Sequence, residues 1–454
     1  MTASLAQEQP DGPVRTLPLS LNQQFLSMFD GGEEEGPFGP TYNIACAWRL
    51  TGPIDPERLT GALEHLVERH ESLRTTLVRS EGGYQVVHEP SAPELSVRDL
   101  SGCSAEERGP RAEELTAWAE RRPQRIDAPP LLRAVLGRFD DEDSVLILVV
   151  HHTVADEWSM QILIRDLAAL YGALAPGGTW PLPATQYRDF LEWELNRPGE
   201  RLTRAREYWR ENLRDARLLA VATDHPRSAV LPKATAWHRF TIGADVTERV
   251  LELARSARSS AFMVLLTAYN VLLHRETGST DIVVPTFASG RNQAEFHETV
   301  GAFFNFVPLR TDIEGCRTYR DVLKRTRRSC LGAYTHELPF PEVVAEAPDL
   351  MSPSMGDRSA PCAFQVFQAA FVADDVEGTE GLSYRKIQRR TLSQSSGADI
   401  PDGAMLQLEI SAEGDLVGNF GYNTNLFDTR SVVERVAGFR EALSDVLHLD
   451  SPLA

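Results

Sequence analysis

The run His151-His152-Thr153-Val154-Ala155-Asp156-Glu157-Trp158-Ser159 brings two imidazoles and two carboxylates close together along the chain. An unperturbed imidazole titrates near about pH 6.5, so a histidine here could take a proton from a nucleophile and return it near neutrality. Asp156 could fix the tautomer of that histidine or brace the loop. The flanking segments decide where these groups sit. Val145 to Val150 is a short apolar run that reads as a buried strand, and Met160, Leu163, Ile164, Leu167, Leu170 and Tyr171 recur with helical period. The histidines therefore close a strand shortly before a helix. Neighbouring strand side chains point to opposite faces, so the pair cannot share one cavity unless the chain has already bent. One histidine is expected to react and the other to pack.

HHTVADEWS resembles the HHxxxDGWS signature of the condensation domains of nonribosomal peptide synthetases, with Glu157 where that family usually carries glycine. Further motifs of the family occur in the right order. Leu17-Pro-Leu-Ser-Leu-Asn-Gln-Gln24 is similar to the first, and Arg69-His-Glu-Ser-Leu-Arg-Thr75 matches RHExLRT. Tyr187-Arg-Asp-Phe-Leu-Glu-Trp193 resembles YxDFxxW, Val300-Gly-Ala-Phe-Phe-Asn-Phe306 resembles IGxFVNT, and His336-Glu-Leu-Pro-Phe340 resembles HQDxPF. RDxSRxPLFQV survives as Arg358-Ser-Ala-Pro361 and Phe364-Gln-Val366, so the resemblance spans residues 15 to 447. The ordered set is far more specific than any single member.

The resemblance implies an α/β (α+β) fold of two lobes, each similar to a chloramphenicol acetyltransferase subunit, set as a V-shaped pseudo-dimer with a tunnel between them. It implies that carrier proteins present 4'-phosphopantetheine arms to that tunnel, and that the enzyme itself binds no cofactor and no metal. His152 is the residue implied for the chemistry, either as a base toward the nucleophile or as a group that orients it; His151 packs. The family's bracing pair would here be Arg74 with Asp156, and a carboxylate neutralised by a guanidinium is a poor base. Glu157, Ser159, Gly301 and Asn305 are the substrate-binding candidates. Glu157 could hydrogen-bond a second hydroxyl of an unusual acceptor, or face solvent or an arginine at the tunnel mouth. Gly301 permits close backbone approach, and the Asn305 amide among apolar neighbours needs a partner.

Composition agrees with this picture. A chain of 454 residues exceeds the usual size of one hydrophobic core, so two lobes are expected, and 42% apolar with 24% charged residues is ordinary for a globular protein. No apolar run approaches the roughly 20 residues that span a bilayer, and the amino terminus lacks a basic start and apolar centre, so residence is expected to be cytoplasmic and away from membranes. Cysteines 46, 103, 316, 330 and 362 show no CxxC spacing, which favours buried free thiols over a disulfide framework or zinc site. The net charge of −19 disfavours nucleic acid as a partner. Two basic clusters, Arg320, Lys324 and Arg327, and Arg201 to Arg217, could receive an acidic carrier protein but are expected to be solvated helix faces.

Along the chain, residues 1–13 are expected to be disordered, 14–178 to form the first lobe with the histidine motif, and 179–454 the second. The boundary falls in Ala175-Pro-Gly-Gly-Thr-Trp-Pro-Leu-Pro183, rich in breakers. Asp55-Pro56 reads as an N-cap followed by an N1 proline, and Leu59, Leu63, Leu66 and Val67 continue the helical face that delivers Arg74. Ile282 to Arg291 and Val300 to Arg310 read as strands joined by an extended segment. Leu406–Ile410 and Leu416–Tyr422 flank Glu413-Gly-Asp415 as a hairpin, and Asp428 is expected to cap a closing helix.

The expected activity is acyl transfer from a carrier-tethered aminoacyl thioester to an alcohol, forming an ester, or to an amine, forming an amide, by a monomer. The condensation-like region fills the sequence from Leu17 onward, which points to a free-standing enzyme meeting its peptidyl carrier protein in trans and taking a small diffusible acceptor. Among its relatives are enzymes that esterify an enediyne natural-product core. Amide formation with a second carrier-bound substrate, epimerisation, and a non-catalytic carrier-recruiting platform are the alternatives.

Overall fold

The structure, a computed structural model, describes residues 15–453 apart from 33, 81, 198, 229–230, 232–233, 368–375, 378–381 and 389–402. The expectation for residues 1–13 lies outside the described residues.

Two sheets organise the chain. The first runs in the order Val376–Glu377, Ser383–Ile387, Asn43–Thr51, Asp143–His151, Leu132–Arg138, Glu94–Asp99, antiparallel except for the last pair. Along Asp143–His151 the apolar residues divide by parity. Val145, Ile147 and Val149 pack with Ala112 and Ala119 of the helix Arg108–Arg121, while Leu146, Leu148 and Val150 enter the main core with the helices Pro56–Arg69 and Glu157–Ala173. A strand buried on both faces needs a continuous apolar run, which is what the sequence supplies here.

The second sheet has the order Ala220–Ala222, Ser359–Phe367, Ala404–Ile410, Leu416–Asn423, Thr235–Ile242, with only Ser359–Phe367 and Ala404–Ile410 parallel. The helices Ala261–Thr277, Tyr319–Thr335 and Thr429–Val446 accompany it. Ala261–Thr277 is buried almost all round, starts on Ser260 and ends at Gly278 in the left-handed region, φ 71°. A separate pair joins Asp281–Ala288 to Asn305–Asp312 in antiparallel register. One connected core cluster reaches from Phe25 to Leu449.

Several local readings hold. Pro56 opens its helix and Asp55 Oδ1 accepts from the Glu57 N–H at 2.9 Å. The hairpin Ala404–Ile410/Leu416–Asn423 turns at Gly414, φ 84°. Asp428 does occupy the N-cap of the last helix, yet its side chain makes no capping bond; Oδ1 meets His225 Nε2 at 2.9 Å instead. The single division at 178/179 does not describe the sheets, because Ser383–Ile387 pairs with Asn43–Thr51 in the sheet of the first half.

Candidate active site

The chain bends immediately after the strand. The His152 N–H donates to Tyr42 O at 2.8 Å and the Val154 N–H to His151 O at 3.1 Å, so the two imidazoles part company. His151 is fully buried, its Nε2 3.0 Å from Gly39 O and its Nδ1 2.8 Å from Thr153 Oγ1. A carbonyl can only accept, so the proton of the neutral ring sits on Nε2 and Nδ1 receives the threonine hydroxyl. Burial pushes its pKa down to about 4, against a smaller upward effect of the Gly39 hydrogen bond. His151 is thus a neutral packing residue. His152 is half-buried, with Nδ1 2.8 Å from Ala155 O, and the same logic places its proton on Nδ1. Its Nε2 is left as the basic lone pair. The ring stacks on Tyr42 at 5.0 Å and 19° and meets the edge of Phe304 at 5.0 Å and 61°.

Asp156 is the N-cap of Glu157–Ala173, with Oδ1 accepting from the Ser159 N–H at 2.8 Å. Its charge is met by Arg291: Nη2 donates to Oδ1 at 2.9 Å and Nη1 to Oδ2 in a bidentate pair. This corrects the pairing expected from the family motif. Arg74 turns away and donates through Nη1 to His88 O, within its own stretch of chain. Arg291 also donates to Ser159 Oγ at 2.9 Å and Thr299 O at 3.2 Å, and lies 4.1 Å over the Phe303 ring. It was missed because it sat inside a run read as plain strand. The available signal was Gly290 before it, held at φ 66° so close to Phe303 O that a Cβ would fall 1.8 Å from that oxygen.

Ser159 and Gly301, the substrate-binding candidates of the sequence, are engaged in bracing this arrangement. Ser159 Oγ, fully buried, lies 2.7 Å from Asp156 Oδ1 and 3.0 and 3.1 Å from Gly301 O and N. A Cβ on Gly301 would meet the Tyr187 ring at 2.2 Å, and the Tyr187 hydroxyl donates to Ala302 O at 3.1 Å. Three separated motifs therefore lock together around one serine hydroxyl. Asn305 is satisfied as its apolar setting demanded. Its amide donates to Glu337 Oε1 at 2.9 Å and Leu338 O at 2.8 Å, and its oxygen accepts from the Phe340 N–H at 3.1 Å.

Among the described residues Glu157 meets a lysine and no arginine. Lys386 Nζ, on the strand Ser383–Ile387, donates to Glu157 Oε1 at 2.6 Å and to Glu409 Oε1 at 3.0 Å. The Glu157 side chain is 27% exposed and the two others 13% each. Burial alone would raise the Glu157 pKa, but the charge and hydrogen bond of Lys386 outweigh it and hold the carboxyl below its usual range. The Cys46 thiol lies 3.6 Å from Oε2.

A cavity of about 250 Å³ opens beside the site, lined by Asn22, Trp193, Arg197, Asn292, Phe304 and Asn305 among others. His152 is not among its lining residues; the Phe304 ring stands between them. Among the described residues no group of three or more His, Cys, Asp or Glu could hold a metal ion, and no helix is long and apolar enough to cross a membrane.

A histidine at a strand end with its Nδ1 proton held by a backbone carbonyl has Nε2 as the ring atom that could accept a proton. The condensation-domain model matches residues 15–453, and the chain belongs to the condensation-domain family, whose enzymes join a carrier-bound acyl group to an acceptor through an amide or ester bond. The SgcC5 protein of Streptomyces globisporus, solved in complex with (R)-(-)-1-(2-naphthyl)-1,2-ethanediol and sucrose, is 44% identical, with 96% of this chain and 100% of that one covered at a TM-score of 0.92. A linear gramicidin synthase polypeptide of Brevibacillus parabrevis is 35% identical over 440 residues, 95% of this chain and 6% of that protein. Phosphinothricin tripeptide synthetase PhsC of Streptomyces viridochromogenes is 34% identical over 429 residues, 92% of this chain and 38% of that protein. The chain spans well under half the length of these synthetases.

Proposed function

We propose that the chain transfers an aminoacyl group from the phosphopantetheine thioester of a carrier protein to an alcohol, forming an ester. The observation that carries this reading is the Nδ1–H to Ala155 O bond of His152, which leaves Nε2 free to take the proton of a hydroxyl. The acceptor oxygen attacks the thioester carbonyl carbon as its proton passes to Nε2. The C–S bond then breaks and the departing thiolate recovers that proton. Asp156, neutralised by Arg291, keeps the loop in place and takes no proton. The two sheets would form the two lobes, with residues 383–387 lent by the second half to the first, and the carrier arm would approach between them.

The acceptor class is drawn from the 1,2-diol with which the 44% identical SgcC5 protein was solved. A small hydroxylated molecule such as an enediyne core is the acceptor this reading favours. Peptide synthetases predominate among the named relatives and lend broader support to amide formation, with an amine on a second carrier as acceptor. His152→Ala separates the two. An amine needs mainly positioning, whereas a hydroxyl gains about 10²–10⁴-fold from a base. The variant, assayed with matched alcohol and amine acceptors and one carrier-bound donor, is expected to lose ester formation far more than amide formation. Equal losses for both nucleophiles would remove the base from the mechanism.

A further inference from the structure

The helix Tyr187–Leu195 carries Phe190, Trp193 and Glu194 along one face, because residues three and four apart are neighbours on a helix. All three line the cavity of about 250 Å³ beside the active site. The next helix, Gly199–Asn212, adds Leu202 and Ala205 to its wall, and Phe303 and Phe304 come from the segment that precedes Asn305–Asp312. The aromatic part of this lining is tightly built. Phe190 packs on Phe303 with ring centroids 4.6 Å apart and stacks with Trp193 at 5.7 Å and 27°.

Several polar groups of the lining are already spent on the protein. Glu337 accepts from the Asn305 amide through Oε1 and from the Asn292 amide through Oε2, each at 2.9 Å. Arg197 donates to Glu194 O and to Glu342 Oε1, both at 2.9 Å. The Glu194 carboxylate differs. Its Oε2 accepts from the Leu21 N–H at 3.0 Å, but Oε1 has no hydrogen-bond partner among the described residues, although Glu194 is only 7% exposed. Burial pushes its pKa up, and the Leu21 bond and the Arg197 charge, which act the other way, do not offset that. A carboxylate oxygen enclosed in this way is costly to leave bare, and a donor entering the cavity would relieve it. Arg201 also lines the cavity, but it is exposed and solvent screens its charge.

We propose that this cavity is a subsite for an arylalkyl ammonium portion of a substrate, its N–H donating to Glu194 Oε1 and its apolar part lying against Phe190, Trp193 and Phe303. The faces of aromatic rings are electron-rich and attract cations, so walls and carboxylate select for the same charge. A neutral hydroxyl could donate to the same oxygen but would gain neither attraction. The Phe304 ring stands between the cavity and His152, which places the bound group away from the reacting atoms. A protonated amine is no nucleophile, so the subsite recognises and does not react. Its assignment to a substrate rests on the acyl-transfer reading; the binding of the ammonium group does not.

Titration calorimetry of the full chain at neutral pH, with 2-phenylethylammonium and with neutral 2-phenylethanol, tests the site without turnover. The cation is expected to bind at least about tenfold more tightly. Glu194→Gln keeps an oxygen for the Leu21 N–H and should abolish the preference by weakening the cation alone. Leu202→Trp, which fills the cavity, should weaken both probes. Equal binding of the two by the wild-type chain, including failure of both to bind, overturns the proposal. So does a Glu194→Gln variant, folded by its melting curve, that keeps the preference or weakens both probes alike, and so does unchanged binding in Leu202→Trp. In the transfer reaction the cation should inhibit competitively against either the carrier-bound donor or the acceptor, which identifies the substrate that carries the group; competition with neither overturns the assignment to a substrate. Absence of acyl transfer, with the cation preference present and lost in Glu194→Gln, would instead count against the function proposed above and leave the ammonium site standing.

Discussion

Replacing Arg291 by methionine removes the guanidinium while keeping a side chain of similar length against Phe303 and Trp158. It leaves Asp156 facing an apolar wall. The two side chains are 0% and 7% exposed, so the pair is buried, and removing one partner of such a pair costs about 3–5 kcal/mol because the other charge is stranded. The loss falls on every bond Arg291 makes, including those to Ser159 Oγ and Thr299 O. Unfolding entropy of about 2.1 cal/mol/K per residue gives roughly 1 kcal/mol/K for a chain this long, so the melting temperature should fall by about 3–5 °C if it unfolds as a unit. Arg74→Met, which gives up a bond to a nearby carbonyl, should cost about 1 kcal/mol and about 1 °C. Because Asp156 positions the turn that holds His152, Arg291→Met should also lower kcat about 100-fold, the scale set by displacements of about 1 Å. Adding Asp156→Asn to Arg291→Met removes the stranded charge and should restore part of the stability. Differential scanning calorimetry of the three variants decides the matter. If Arg291→Met melted within 1 °C of the wild type, or Arg74→Met fell further than Arg291→Met, the assigned brace would be wrong.

Three further outcomes are expected. His151 titrates at about 4 when folded against 6.5 when free, so below pH 6.5 the unfolded chain takes up a proton that the folded one refuses. Its contribution is whole above pH 6.5 and is lost by about 3 kcal/mol as pH falls to 4; His151→Gln should flatten the melting temperature over that window relative to wild type. Gly301→Ala drives a methyl into the Tyr187 ring and should destabilise by about 1–3 kcal/mol, read by urea denaturation, whereas the double variant Gly301→Ala/Tyr187→Leu should recover part of the loss. Asn305→Leu strands the Phe340 N–H and the Leu338 carbonyl, and should cost about 1–3 kcal/mol by the same measurement.

Features written into neighbouring residues were legible in the sequence. Asp55-Pro56 starts a helix because its carboxylate caps an N–H two residues on, and Gly414 turns a hairpin because its φ is open to glycine. The division between His151 and His152 followed from strand alternation meeting a bend. What failed were partners fixed by the fold at long range. Arg291 lies 135 residues from Asp156 and Lys386 lies 229 from Glu157, and no local periodicity marks either one. The motif supplied a plausible arginine, Arg74, but its side chain is spent on a carbonyl of the adjacent strand end. Asn305 was recognisable as an amide needing partners, although the backbone of Leu338 and Phe340 that provides them became visible only once the strands were placed.

The strand Ser383–Ile387, added to the first sheet from far along the chain, has a meaning for biogenesis. Asn43–Thr51 pairs with it on one side and with Asp143–His151 on the other, so until residue 387 is made Asn43–Thr51 presents a bare row of backbone donors and acceptors. Synthesis at about 5–20 residues per second puts roughly 10–40 s between the end of the first half and arrival of this strand. The part of that edge this strand later covers, Ala47 to Thr51, is until then a template for pairing with other nascent chains. Slow translation or a premature stop between residues 178 and 383 should therefore yield aggregates rather than a soluble half-molecule, and supplying the missing strand in trans should rescue it.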